Sequence, residues 1–223
     1  MKNKIKYQAA VILMILIGFL LPSCTTRKTF QWHPLYTNLH FEDDAIRPLF
    51  ERIHQNASLY QDYKTILIVD AIFKDIRYRQ HFSREIATTY FLTPEQAKNL
   101  EKQQIQQFQN QFEFIVFLYG GSNDSLKLDT PAAHWKVYLK DDDGDLLQPT
   151  QITKLDEEHQ EIRFLQKYIK MPDRWAEKYL IVFPKLSKTA ILESPGKSPF
   201  QLIITSFAGK SLLSWQENLL FYQ

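Results

Sequence analysis

The chain predicts a mainly β, α+β protein: an antiparallel immunoglobulin-like β-sandwich with its helices in the N-terminal half. Three observations carry that expectation. From residue 112 onward the sequence falls into short apolar or alternating runs, separated by Gly, Pro, Asn and Asp at turn positions. Clear helical spacing of apolar residues is confined to stretches before residue 111. About 200 residues follow a leader-like segment, enough for one ordinary domain, and no internal repeat divides them. The organisation expected is a signal peptide at 1–23, a tether and N-terminal helical segment at 24–60, and a β-sandwich domain at 61–217 with a helical insertion near 80–111.

The leader comes first. Lys2, Lys4 and Lys6 precede 13 apolar or small residues, Ala9 to Leu21, and no acidic residue occurs before Glu42. A basic start and an apolar core of this length suit a signal peptide, and the core is shorter than the ~20 residues of a membrane-spanning helix. Leu21-Pro22-Ser23 then leads into Cys24, the sole cysteine of 223 residues. This stretch resembles the lipobox of bacterial lipoproteins, with Leu three positions before the Cys and a small residue just before it. Pro22 stands where Ala, Ser, Thr or Val is commoner. The resemblance implies diacylglycerol on the Cys24 sulfur, cleavage before Cys24 and acylation of the new amine. Two or more acyl chains hold a protein stably on a bilayer, each buried CH₂ contributing ~0.8 kcal/mol. Thr25 is not the Asp that retains Gram-negative lipoproteins at the inner membrane, so the resemblance implies a bacterial cell-envelope protein of the outer membrane.

Cleavage changes the charge balance. The full chain has 27 Lys and Arg against 25 Asp and Glu. Loss of the three leader lysines leaves 24 against 25, so the basicity belongs to the leader and no footprint for nucleic acid is expected. With one cysteine there is no intramolecular disulfide, and the fold must rest on its core.

The body follows in order. Phe30, Trp32, Leu35, Tyr36 and Phe41 are too apolar for a free tether and are expected to pack back on the body. "DDAIRPLFERIHQNASLY" places Ile46, Leu49, Phe50 and Ile53 at helical spacing, and Pro48 fits only a first turn, so the helix starts between Asp44 and Arg47. "KTILIVDAIFKDIRYR" reads as one long strand, buried on both faces at first and then alternating, with Lys74, Arg77 and Arg79 outward or at an edge. Phe82, Ile86 and Tyr90 then recur every four residues. Thr93-Pro94-Glu95-Gln96 is a capping box opening a second helix, with Ala97, Leu100, Ile105 and Phe108 as its inner stripe and a glutamine-rich solvated surface. "FEFIVFLY", "HWKVYLKD", "LLQPTQITKL", "KYLIVFPK", "FQLIITSF" and "KSLLSWQ" read as strands, the last two joined at Ala208-Gly209. "EIRFLQKYI" reads as a strand or as a helix.

The succession "FEFIVFLYG", "HWKVYLKDDDGDLLQPTQI", "DRWAEKYLIVFP" and "LIITSFAGKSLLSW" resembles a group of uncharacterised bacterial predicted lipoproteins. In that group a W-x-V-x-L strand precedes an acidic Gly turn. The likeness spans roughly residues 60 to 216. It implies a sandwich-like exported domain and no particular activity.

Candidate chemistry is sparse. Asp141, Asp142, Asp143 and Asp145 surround Gly144, but an EF-hand loop counted back from that glycine has Leu139 at position 1 and Thr150 at position 12. A hairpin turn with Asp-Gly at positive φ is the reading preferred, and no metal or other cofactor is expected. The histidines His33, His40, His54, His81, His134 and His159 include no i, i+4 pair, and no GxSxG surrounds a serine. Six glycines leave no phosphate cradle. The chain is therefore expected not to be an enzyme. Trp135, Trp175 and Trp215 are expected in the core, with a binding platform as the alternative. The function expected is a lipid-anchored envelope lipoprotein with a structural or protein-interaction role. A module binding envelope glycans or peptides is the second reading, and a hydrolase the third. The partners expected are the membrane, through lipid on Cys24, and an envelope protein or glycan.

Overall fold

The computed structural model describes residues 40–41, 46–120, 126–140, 144–170, 176–184 and 200–215. The leader, Cys24, the tether, Asp141 to Asp143, Trp32 and Trp175 lie outside them. The architecture is mixed α+β, with four described helices and two main sheets, antiparallel throughout. In chain order the elements are β1 (His40–Phe41), α1 (Arg47–Ile53), β2 (His54–Gln61), β3 (Lys64–Phe73), α2 (Ile76–Thr89), α3 (Pro94–Asn110) and β4 (Gln111–Gly120). Then come β5 (Lys136–Lys140), β6 (Leu146–Leu147), β7 (Gln151–Lys154), α4 (Gln160–Gln166), β8 (Ile169–Lys170), β9 (Glu177–Pro184), β10 (Phe200–Ser206) and β11 (Gly209–Trp215).

One sheet has the order β2-β3-β4-β9-β7, the other β11-β10-β5-β6, and β1 pairs with β8. Alternation along the strands decides what lies between the sheets. Phe73, Phe112 and Phe114 of the five-stranded sheet meet Phe200 of the other, Phe73 and Phe114 also meet Trp215, and Phe183 packs edge-on against Phe114. Phe73 and Phe200 have ring centroids 5.0 Å apart, Phe114 and Trp215 5.2 Å. Each such pair adds about 0.5–1.5 kcal/mol beyond its area burial. Trp215 is fully buried, and its Nε1–H donates to the Ile53 carbonyl at 2.7 Å, tying the second sheet to the end of α1. A second aromatic cluster belongs to the helices: Tyr78 and Phe82 of α2 pack on Phe164 of α4 at 5.4 and 5.3 Å, and Phe50 of α1 meets Tyr78 at 6.3 Å.

Several expectations hold. Pro48 lies in the first turn of α1. The α3 capping box forms: the Gln96 N–H donates to Thr93 Oγ1 at 3.3 Å, and the Thr93 N–H to Gln96 Oε1 at 2.9 Å. Trp135, Val137 and Leu139 of the β5 segment point inward, and Gly144 has φ +92°.

Others are corrected. The strand expected to run through Arg79 stops at Phe73, because Asp75 caps a helix there; its Oδ1 accepts from the Tyr78 N–H at 2.8 Å. The expected helical excursion is thus α2, and it begins earlier than the expected bound near 80. It ends in a Schellman motif, with the Leu92 N–H on the Ala87 carbonyl and Phe91 in the left-handed region. "HQNASLYQ", grouped with the N-terminal helical segment, is strand β2, recruited by pairing with β3. "EIRFLQKYI" resolves as helix α4, capped by His159, whose Nδ1 accepts from the Glu161 N–H. Helices therefore are not confined to the first half. "LLQPTQITKL" is not one returning strand: Pro149 separates β6, in the four-stranded sheet, from β7, in the five-stranded one. Of the expected α3 stripe only Phe108 is buried.

Candidate functional site

The sequence reading put Lys74 and Arg79 outward or at an edge, but both are buried, Arg79 completely. Phe112 and Phe114 point between the sheets, so Glu113 points to the opposite face, toward the helices. Lys74 follows the last residue of β3, and its backbone N–H donates to the Glu113 carbonyl at 2.9 Å. Its Nζ meets Glu113 Oε2 at 2.7 Å and also pairs with Glu161 of α4. Tyr78 donates its hydroxyl to the other Glu161 oxygen at 2.5 Å. Arg79 Nη2 lies 3.2 Å from Glu113 Oε1, and Arg79 Nε donates to the Lys74 carbonyl. Arg79 Nη1 donates to the amide oxygens of Gln104 and Gln107 on α3, and Gln111 Nε2 donates to Glu113 at 2.6 Å.

Two cations thus face two carboxylates across the junction of β3, β4 and three helices. Burial pushes the Glu113 carboxyl up, but Lys74 and Arg79 more than offset this and hold it at about 2. Burial, reinforced by Glu161, raises the Tyr78 hydroxyl well above its ordinary range, so it stays a donor. Buried charges left unpaired would cost several kcal/mol each, and this pairing satisfies them.

Lys74, Glu113 and Glu161 of this cluster line an open cleft of about 660 Å³. The side-chain amides of Gln104, Gln107, Gln111, Gln151 and Gln160 line it, with Asp156, Glu158 and His159 on the α4 side. Phe82, Leu180 and Val182 supply its apolar patches. Arg79 takes the amide oxygens of Gln104 and Gln107, and the amide NH2 groups of Gln111 and Gln151 donate to Glu113 and Thr153. The donors of Gln104 and Gln107, the acceptors of Gln111 and Gln151 and the Gln160 amide suit hydroxyls and peptide groups better than an apolar ligand. Sequence reasoning took Gln104 and Gln107 for part of a solvated helix surface and made nothing of the other three. The signal it passed over was Glu113, a lone carboxylate inside "FEFIVFLY".

The remaining single residues fall elsewhere. His54 Nε2 sits 2.9 Å from Asp70 Oδ1 on neighbouring strands β2 and β3, both side chains buried. Burial, and secondarily Asp70, raises the Tyr119 hydroxyl. His81 lies against Phe164 and Tyr168, and His134 is exposed. Trp135 and Trp215 are core residues. Cys24 lies outside the described residues, as does the acidic triplet; Gly144 and Asp145 are exposed. Among the described residues no three His, Cys, Asp or Glu side chains gather as a metal site, and no helix is long and apolar enough to cross a membrane. Comparison of the chain with protein-family models, with curated proteins and with solved structures finds no match.

Proposed function

We propose that this chain is a lipid-anchored cell-envelope protein with an interaction role, held at the outer membrane through Cys24, whose cleft grips a polar segment of an envelope partner. The basic leader, the apolar core and Leu21-Pro22-Ser23-Cys24 support the address. The single observation that supports the role is the glutamine-lined cleft, whose charged residues are paired and whose amides, held in place by bonds to Arg79, Glu113 and Thr153, carry further donors and acceptors for a ligand. A peptide or a glycan chain presents the alternating donors and acceptors that such a lining recognises. We read the two sheets and their aromatic seam as an immunoglobulin-like sandwich that serves as the rigid scaffold for this cleft.

The address is tested by mass spectrometry of the native protein. The expected N-terminal peptide starts at an acylated Cys24; a peptide retaining Lys2 to Ser23 with a free Cys24 thiol would sink the anchor. The role is tested by placing a photo-crosslinking residue at Gln151, on the cleft, and at Lys98, an exposed position of α3, in cells. Adducts with one protein or with glycan fragments are expected from Gln151 alone. Equal adducts from both positions would show that the cleft does not select a partner.

A further inference from the structure

Two hairpin tips carry large aromatic side chains that the fold does not use. Tyr63 and Phe207 are both fully exposed. Each sits in a two-residue turn, Asp62-Tyr63 between Gln61 and Lys64, and Phe207-Ala208 between Ser206 and Gly209. Asp62 and Tyr63 have φ of 48° and 63°, left-handed at both central positions. Asn-Gly or Asp-Gly meets that demand freely, whereas an L side chain costs roughly 1–2 kcal/mol there. A strained, exposed tyrosine lowers stability for no contact in return. The left-handed Phe91 is a different case, since it ends α2 in a Schellman motif.

The two tips lie at the same end of the molecule. A methyl on Gly209 would come 2.9 Å from Leu59 Cδ2, whereas at the far end of β11 Trp215 reaches Ile53. Strands β2 and β11 therefore run side by side in opposite directions, and their tips emerge together. Exposed lysines surround them: Lys64 follows Tyr63, and Thr205, beside the Phe207 tip, pairs with Lys210 on one side and Lys136 on the other. Asp62 is the one acidic residue in the two turns. Aromatic tips within a basic collar match a bilayer surface with anionic headgroups: rings settle at the headgroup level and lysines meet the negative potential. The chain from Cys24 to His40 spans at most about 55 Å when extended, which keeps a bilayer within reach.

We propose that Tyr63 and Phe207 form a bilayer-docking site that inserts into anionic lipid and sets the orientation of the body on the membrane. The proposal takes from the anchor reading only the nearness of a bilayer. The test uses full-length protein with Tyr63→Cys, Phe207→Cys or Leu146→Cys, each labelled with an environment-sensitive fluorophore. Leu146 is an exposed tip at the opposite end, paired with Lys140, and the wild-type chain sets the background from Cys24. In protein-free vesicles of phosphatidylglycerol and phosphatidylethanolamine, quenching by brominated lipid should be about tenfold greater at 63 and 207 than at 146. It should fall when phosphatidylglycerol is replaced by phosphatidylcholine. Equal quenching at all three positions, or none at the tips, overturns the proposal. Shielding in native envelope vesicles but not in protein-free ones would assign the tips to a protein and also overturn it. The N-terminal peptide mass reads the anchor separately: lipid-quenched tips beside an unmodified Cys24 keep this proposal and discard the anchor.

Discussion

Glu113 interrupts the apolar run of β4, and Lys74, Arg79 and Gln111 compensate its charge. Lys74 pairs with both Glu113 and Glu161 from the end of β3, so its ammonium joins the sheet to α4, while Arg79 joins Glu113 to α2. Lys74→Met removes that ammonium and leaves two buried carboxylates short of a cation. Breaking a buried pair in this way typically costs 3–5 kcal/mol. Denaturant unfolding of the variant should show a loss of that size, well beyond an ordinary surface change. A loss under about 1 kcal/mol would mean that water entering from the cleft already screens the carboxylates.

At the scale of elements, α3 depends on its cap more than on its packing. Phe108 is its one buried residue, so tertiary contacts hold the helix mainly near its C-terminal end. The N-terminal turn rests on the reciprocal Thr93 and Gln96 bonds and on Pro94. Thr93→Ala should therefore cost about 1 kcal/mol, read as a lower denaturant midpoint at unchanged slope. Amide exchange should rise in the first turn of α3 and leave Phe108 and β4 unaffected. Uniformly faster exchange across the helix and β4 would refute this division.

For the whole molecule the pH response follows from the same cluster. Glu113 is held near 2 against an ordinary 4.5, so its contribution is complete above about pH 4.5 and is lost as pH falls toward 2. The contribution is on the order of 3 kcal/mol for a group this buried. Asp75 works in the opposite sense: burial raises it, so folding favours its protonated form and stability is lost as pH rises through its folded value. The net slope in acid is therefore shallower than Glu113 alone would give. Unfolding free energies at pH 6, 4 and 2.5 should fall for the wild type, and fall less for Glu113→Gln. Parallel slopes for the two proteins would place the acid sensitivity elsewhere.

What the sequence determined by itself was local: the α3 capping box, Pro48 in a first turn, the β4, β5 and β9 strands, the turn at Gly144 and the β10–β11 hairpin. Each is a matter of neighbouring residues, whose periodicity, caps and turn preferences act over a few positions. The lipobox reading of Cys24 is local in the same sense and stays an inference from sequence. What tertiary structure decided was non-local. Residues 54–61 become β2 because β3 offers them an edge, and "EIRFLQKYI" becomes α4 because Phe164 finds Tyr78 and Phe82. Lys74 and Arg79 looked like outward or edge charges because their compensating partner, Glu113, is more than thirty residues away in sequence. The cleft was illegible for the same reason. Its glutamines come from α3, β4, β7 and α4, and only the packing of helices across the five-stranded sheet brings those amides around one space.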